Sequence, residues 1–264
     1  MTAVRLDLRK LTPKCGAEVL GVDLSRPLDD AQVDALRSAL AEHCVLFFRD
    51  QEMTPEQHKA FGRRFGELHL HPAWPRLLEG HPEVMEIYAD AHTKRIAGED
   101  WHSDVSCDPE PPLGTILYML EVPREGGDTL FASMYAAYEA LSAPMKRLLE
   151  GMTALHDGET TYRGRYEGMQ EAAAYPRAEH PVIRTHPVSG RRALFVNRIF
   201  TRRILQLEKH ESDAVLEMLF RLSRRRSCSA AFSGSRARWR SGTTAASSTT
   251  RCGTTTRCAG AGCA

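Results

Sequence analysis

The chain has 264 residues, 42% hydrophobic and 26% charged, an ordinary globular composition that excludes a wholly disordered protein. That length suits one large domain or two small ones. The formal net charge of +1 hides a division: residues 1–221 carry 27 basic and 34 acidic side chains, a net of −7, whereas residues 222–264 carry eight Arg and no Lys, Asp or Glu. No stretch reaches the roughly 18 apolar residues of a membrane span. The opening MTAVRLDLRK holds no apolar core of a signal peptide, so the expectation is a cytoplasmic protein without a membrane partner. Cys15, Cys44 and Cys107 are widely scattered, and the other four cysteines crowd the tail, which reads as no disulfide framework.

In chain order, Gly16 to Leu24 predicts a strand running into a turn. Asp29 to His43 places Val33, Leu36 and Leu40 on one helical face. Val45-Leu46-Phe47-Phe48 is a continuous apolar run, the pattern of a strand covered on both faces. Thr54-Pro55-Glu56-Gln57 combines a capping box with proline at the first helical position, predicting a helix to about Phe65. Thr115 to Leu120 reads as a buried strand, and Gly126-Gly127-Asp128 as a turn into a strand at Thr129 to Phe131. Helices follow near Tyr135–Leu141 and Pro144–Gly151, a strand at Arg192–Asn197, and an amphipathic helix at Glu211–Arg221. Short strands among surface helices predict a β-sandwich or barrel decorated by helices.

The strongest local constellation is Trp101-His102-Ser103-Asp104. Read as a strand, its i and i+2 side chains share a face, so His102 and Asp104 converge. An imidazole and a carboxylate are two corners of the 2-His-1-carboxylate triad that holds Fe(II) and leaves open positions. By itself, His-x-Asp fits a structural histidine–carboxylate pair better than a metal site.

The wider context is more specific. The segment WHSDVSCDPEPPLGTILYMLEVPREGGDTLFASMYAAYEALS resembles the TauD/TfdA family of Fe(II)- and 2-oxoglutarate-dependent dioxygenases, most of all its taurine dioxygenase branch. FFRDQEMTPEQHKAFGRRFGELHLHPAWP, Ala154-Leu155-His156-Asp157 and HPVIRTHPVSGRRALFVNRIFTRRI carry the same resemblance, which runs from about Leu11 to Arg221. It implies a mainly β fold with α elements: a double-stranded β-helix (jelly roll) core with peripheral helices. It implies His102 and Asp104 as ligands of Fe2+, and Thr129 as the hydroxyl that bonds a carboxylate of 2-oxoglutarate. His71 matches a residue that contacts the substrate sulfonate, Phe200 an aromatic wall of that pocket, and Trp74 a position usually held by Tyr. Gly98 stands where an Asn would help to hold the substrate. These departures leave open another alkylsulfonate, a sulfate ester or a carboxylate in place of taurine.

The implied chemistry uses 2-oxoglutarate and O2 as co-substrates, yields succinate and carbon dioxide, and hydroxylates a carbon that then expels sulfite to leave an aldehyde. The implied partners are a small-molecule substrate, no nucleic acid, and further copies of the chain, since such relatives commonly form dimers or larger assemblies. His186, in Arg184-Thr185-His186-Pro187, reads as part of a hydrogen-bonded turn rather than a ligand. From a different class, the chain reads as a non-catalytic jelly-roll module with a polyanion-binding tail.

The resemblance assigns residues 1–221 to a dioxygenase domain whose C-terminal part is missing. Residues 222–264 hold 15 Ser or Thr and few large apolar side chains, which predicts an aberrant or disordered tail. The family's second His, in a stretch like WDN-R-x-x-QH-Y, and its co-substrate Arg are absent, and no His follows His210. Codons for Trp239 through Arg257, read one base back, are compatible with VALWDNRGVQHYAVWDYYP. Its histidine straddles the codons of Ser248 and Thr249. The expectation is a frameshift between about Arg221 and Arg226.

Overall fold

The computed structural model describes residues 4–71, 77–88, 90, 92, 100–121, 128–163 and 175–225, and the backbone of four strands beyond them, at 229–232, 243–247, 251–252 and 257–263. Trp74 and Gly98 lie outside the described residues.

The first third of the chain builds one layered unit. Strands β1 (Asp7–Lys10) and β2 (Ala17–Leu20) form an antiparallel pair, helix α1 spans Asp30–His43, and β3 (Val45–Phe48) returns parallel to β2. α1 begins where the Asp29 carboxylate accepts from the Gln32 N–H at 2.7 Å and the Gln32 side chain caps Asp29 in return. The same reciprocal cap, Thr54 with Gln57, starts α2 (Pro55–Arg63), with proline at the first turn. The cap of α2 stands where the sequence places it, whereas α1 is marked in the sequence by its apolar pattern and not by its cap.

β3 shows why an unbroken apolar run is a strand here. Leu46 and Phe48 pack among Leu36 and Leu40 of α1 and Phe61 of α2, whereas Val45 and Phe47 face the other way. There Phe47 meets Phe131 of β8 (Thr129–Ala132) edge-on at 5.5 Å. β3 is therefore buried between a helical layer and a second sheet, which is the alternation of a sandwich.

The larger sheet has nine strands and takes in β7 (Gly114–Glu121), β6 (His81–Ile87) and the short β4 (Leu68–His69) and β5 (Leu77–Leu78). Beyond β8 come α3 (Met134–Glu139), α4 (Ala143–Leu149), β9 (Thr153–Asp157), α5 (Glu159–Tyr162), β10 (Arg177–Pro181), β11 (Ile183–Thr185), β12 (Arg192–Leu194), β13 (Thr201–Ile204) and α6 (Lys209–Ser223). β9 is flanked antiparallel by β10 and β13, and α3, α4 and α6 close a core around Leu149, Leu194, Ile204 and Leu219. The fold is a mainly β jelly roll with peripheral helices, and no described helix is long and apolar enough to cross a membrane.

One expectation needs correcting. Trp101 to Asp104 is not a strand: residues 101–103 are irregular and a turn occupies 104–107, with Val105 in the left-handed region at φ 48°. In the tail, the described backbone forms four strands. β14 (Ser229–Phe232) and β16 (Arg251–Cys252) flank β8, β15 (Thr243–Ser247) lies between β3 and β7, and β17 (Arg257–Cys263) between β7 and β6. Ladder hydrogen bonds join backbone groups, so open edges on β3, β7 and β8 draw strands from a segment poor in large apolar side chains.

Candidate active site

His102 and Asp104 meet at the turn between β6 and β7. The Nδ1 of His102 lies 2.7 Å from the Asp100 carbonyl oxygen, and a carbonyl only accepts, so Nδ1 carries the hydrogen. The other ring nitrogen, Nε2, therefore points its lone pair or a second proton at Asp104 Oδ1, 3.0 Å away. The second oxygen of Asp104 accepts from the Thr115 hydroxyl at 2.6 Å, which ties the carboxylate to the start of β7. His102 is buried and Asp104 about one-third exposed, so the pair opens to solvent on the carboxylate side.

The donor chemistry fits a metal corner. Two acceptor atoms this close must share a proton or a cation, and each outer atom of the pair is held by a partner of its own. Among the described residues no third His, Cys, Asp or Glu joins them in a metal-holding group.

One wall of the site is aromatic. The His71 ring meets Tyr162 edge-on at 5.4 Å, and Tyr162 in turn packs on Phe200 at 5.8 Å. Val105 and Cys107 complete this buried cluster, with the Cys107 thiol donating to the Tyr162 hydroxyl at 3.8 Å. Desolvation holds His71 down to a pKa of about 4, the Asp104 charge opposing and His69 adding to the depression. His71 is thus neutral near neutral pH. Gly158 lets Tyr162 in: a Cβ there would stand 2.8 Å from the ring and 3.1 Å from the Cys107 sulfur.

Beneath the turn lies a buried polar network. The Ser106 hydroxyl accepts from the Asn197 amide at 2.8 Å and pairs with His156 Nδ1 at 3.0 Å, while His156 Nε2 reaches the Thr201 hydroxyl at 3.3 Å. The Asn197 carbonyl oxygen accepts from the Phe200 N–H at 2.9 Å, so the same network fixes Phe200. Val105 holds its left-handed backbone, uncommon for a β-branched residue, against this fully bonded support.

The structure thus brings His102, Asp104, His71 and Phe200 into one region. Thr129 opens β8 in the other sheet, buried and paired across to Phe232. His186 Nδ1 accepts from the N–H groups of Val188 and Ser189 and closes its own turn. Tyr162, Cys107 and the His156 network have no role among the sequence-based expectations, although His156 and Cys107 lie in segments that carry the resemblance.

Comparison with known proteins gives consistent matches. The family model described as "Taurine catabolism dioxygenase TauD, TfdA family" matches residues 7–243. The chain is 33% identical over 234 residues to an alpha-ketoglutarate-dependent sulfonate dioxygenase of Saccharomyces cerevisiae, covering 83% of this chain and 55% of that protein. It is 35% identical over 213 residues to an alpha-ketoglutarate-dependent sulfate ester dioxygenase of Pseudomonas putida, covering 75% and 69%. A crystal structure of a taurine dioxygenase from Burkholderia xenovorans superimposes with a TM-score of 0.80 at 32% identity, covering 98% of this chain and 89% of that one. The chain spans 54–60% of the length of three fungal relatives.

Proposed function

The chain belongs to the TauD/TfdA family, and from that premise we propose that it is an Fe(II)- and 2-oxoglutarate-dependent dioxygenase hydroxylating a small sulfonate such as taurine, with release of sulfite and an aldehyde. The observation that carries the reading is the His102–Asp104 contact at 3.0 Å, with His102 Nδ1 tied to Asp100 and the second Asp104 oxygen tied to Thr115. In this reading His102 Nε2 and Asp104 Oδ1 hold Fe2+, and Thr129 bonds a carboxylate of 2-oxoglutarate. Ferrous iron with 2-oxoglutarate and oxygen supplies the oxidising power to hydroxylate an unactivated carbon.

The chain's own residues do the rest. The Asp100 carbonyl keeps the His102 proton off Nε2, and the Thr115 hydroxyl fixes the angle of the Asp104 carboxylate. Neutral His71 offers a hydrogen bond, rather than a charge, to the anionic end of the substrate. Phe200 and Tyr162 exclude water from the wall beside it. A sulfate ester is the second reading, favoured by the likeness to the Pseudomonas putida protein and by Gly98 in place of a substrate-holding Asn.

We also assign the tail of this chain to a shifted reading frame. Ser247 stands opposite Thr115 in the β15–β7 ladder, and Thr115 bonds Asp104. The histidine of the shifted reading straddles the next two codons. That register supports the second His ligand at this place, and the strand from 243 to 247 supports a jelly roll whose last strands run in the other frame. The chain as written is expected to turn over weakly or not at all, since two protein donors hold Fe(II) poorly.

The experiment compares the written and frame-restored chains for Fe(II)-dependent succinate formation, then screens the restored chain against sulfonates and sulfate esters for sulfite or sulfate release. Succinate from the restored chain alone supports both assignments. A restored chain that folds yet consumes no 2-oxoglutarate sinks the enzymatic reading, and robust turnover by the written chain sinks the shifted frame.

A further inference from the structure

Two thiols outside this site are placed for chemistry of their own. Cys15 precedes β2 and Cys44 precedes β3, and the parallel register sets Ala17 against Leu46 and Glu18 against Phe47. Counting back two residues on each strand brings Cys15 level with Cys44. The Gly16 N–H donates to the His43 carbonyl at 2.8 Å, which continues the pairing to that point. Neighbouring strands run about 4.8 Å apart, within the roughly 4.4–6.8 Å between Cα atoms that a disulfide needs. Both cysteines are reduced thiols buried in one cluster, and their sulfurs are hydrogen-bonded to each other.

The two are not equivalent. Cys44 caps α1 in the left-handed region at φ 67° and lines a cavity of about 390 Å³ with Pro112, Tyr135, Arg184, His186 and Phe195. Its sulfur is also within hydrogen-bond contact of the Ser133 hydroxyl at 3.5 Å. The bond from Cys15 draws the Cys44 thiol down, with Ser133 and the charge of Arg191 adding to it against burial and the charge of Glu139, whereas the shared bond and burial push Cys15 up. Cys107, by contrast, is pushed up to about 11 by burial and is engaged with Tyr162. The nucleophile is therefore Cys44, reached through the cavity, with Cys15 behind it.

We propose that Cys44 is a peroxide-reactive thiol and Cys15 its resolving partner, together a reversible dithiol–disulfide site on the wall of this cavity. The oxidant is a small hydroperoxide. The Cys44 thiolate attacks it, an S–O bond forms, the O–O bond breaks, and the departing oxygen leaves with a proton; sulfur loses two electrons and the peroxide gains them. The Cys15 sulfur then attacks the sulfenic acid, the S–S bond forms, the S–O bond breaks, and the hydroxyl leaves as water with the Cys15 proton.

The test oxidises the full chain with hydrogen peroxide, blocks remaining thiols after denaturation, and maps tryptic peptides. Peptides Cys15–Arg37 and Ser38–Arg49 are expected joined, lighter than their sum by two hydrogens and separated by dithiothreitol. In Cys15→Ala, Cys44 is expected to stop as a sulfenic acid trapped by dimedone; in Cys44→Ala, Cys15 is expected to stay reduced. The wild-type map stands whether or not the variants fold. Cys44 recovered as free thiol while Cys107 is oxidised, or joined to any cysteine other than Cys15, overturns the proposal.

Discussion

His102 and Asp104 act on each other through a single contact, so they are expected to fail together. In the frame-restored chain, His102→Ala and Asp104→Ala should each abolish Fe(II)-dependent 2-oxoglutarate decarboxylation and lower Fe(II) affinity by at least about tenfold, read by succinate formation and metal titration. Retention of both properties in either variant would end the metal assignment. Gly158 is a subtler case. Its backbone is ordinary, and what demands glycine is the Tyr162 ring 2.8 Å from where a Cβ would sit. Gly158→Ala should cost about 1–3 kcal/mol by overpacking, seen as a lowered Tm. It should also raise KM for the substrate more than it lowers kcat, because Tyr162 lines the wall beside His71. That His102 and Asp104 could meet was legible because they stand two residues apart, and the resemblance named them as ligands and Phe200 as a wall residue. The rest of the wall was not: Cys107 and Tyr162 are 55 residues apart, and Ser106 and Asn197 are 91 apart, so only folding reveals that they touch.

At the scale of elements, local signals carried the helices. Thr54, Pro55 and Gln57 mark the start of α2 in sequence and hold it in the structure. Thr54→Ala should cost about 1 kcal/mol, measured by urea denaturation, while Thr54→Ser should recover most of it; equal stability of all three would show that the cap is not holding the helix end. Strands were less legible. β3 could be read because it is apolar throughout, and β7 and β8 because turns bound them. β6, HPEVMEI, and β10, RAEHP, carry Pro and charged residues; β6 turns back on the two-residue β5 and otherwise pairs with the distant β17, and β10 pairs with β9 across α5, so no apolar run marks either. The tail strands are the extreme case, since TTAAS and RCAGAGC hold no large apolar residue that would mark a strand. Truncation before Thr243 would bare the edges of β3 and β7 together, and it should turn a monodisperse preparation into one that scatters light.

The molecule as a whole keeps several imidazoles away from water, and this sets its response to acid. His58 and His156 are fully buried, and desolvation holds their pKa values down to about 4 and about 3 from 6.5. The unfolded chain takes up these protons as pH falls below 6.5, whereas the folded chain refuses them until near 4 and below. Their contribution is therefore undiminished above pH 6.5 and is lost progressively as pH drops through that window. The carboxylates of Glu139 and Glu217, held low by Arg partners, lose their stabilising effect only at more acid pH, which leaves the upper part of the window to the histidines. Each buried imidazole adds about 1.4 kcal/mol per pH unit to the slope of stability, so the pair alone should remove about 3 kcal/mol per unit, a large share of a marginal total. His71, His43 and His180, also depressed by burial, steepen it further. Urea unfolding at a series of pH values from about 7 to about 5 measures the slope. His156→Asn should flatten it by about one proton, though the variant is less stable at pH 7 because Ser106 and Thr201 lose a partner. A wild-type stability that stays level across that range would mean that these rings are hydrated in the folded protein, and that the network beneath the Asp104 turn is open to water.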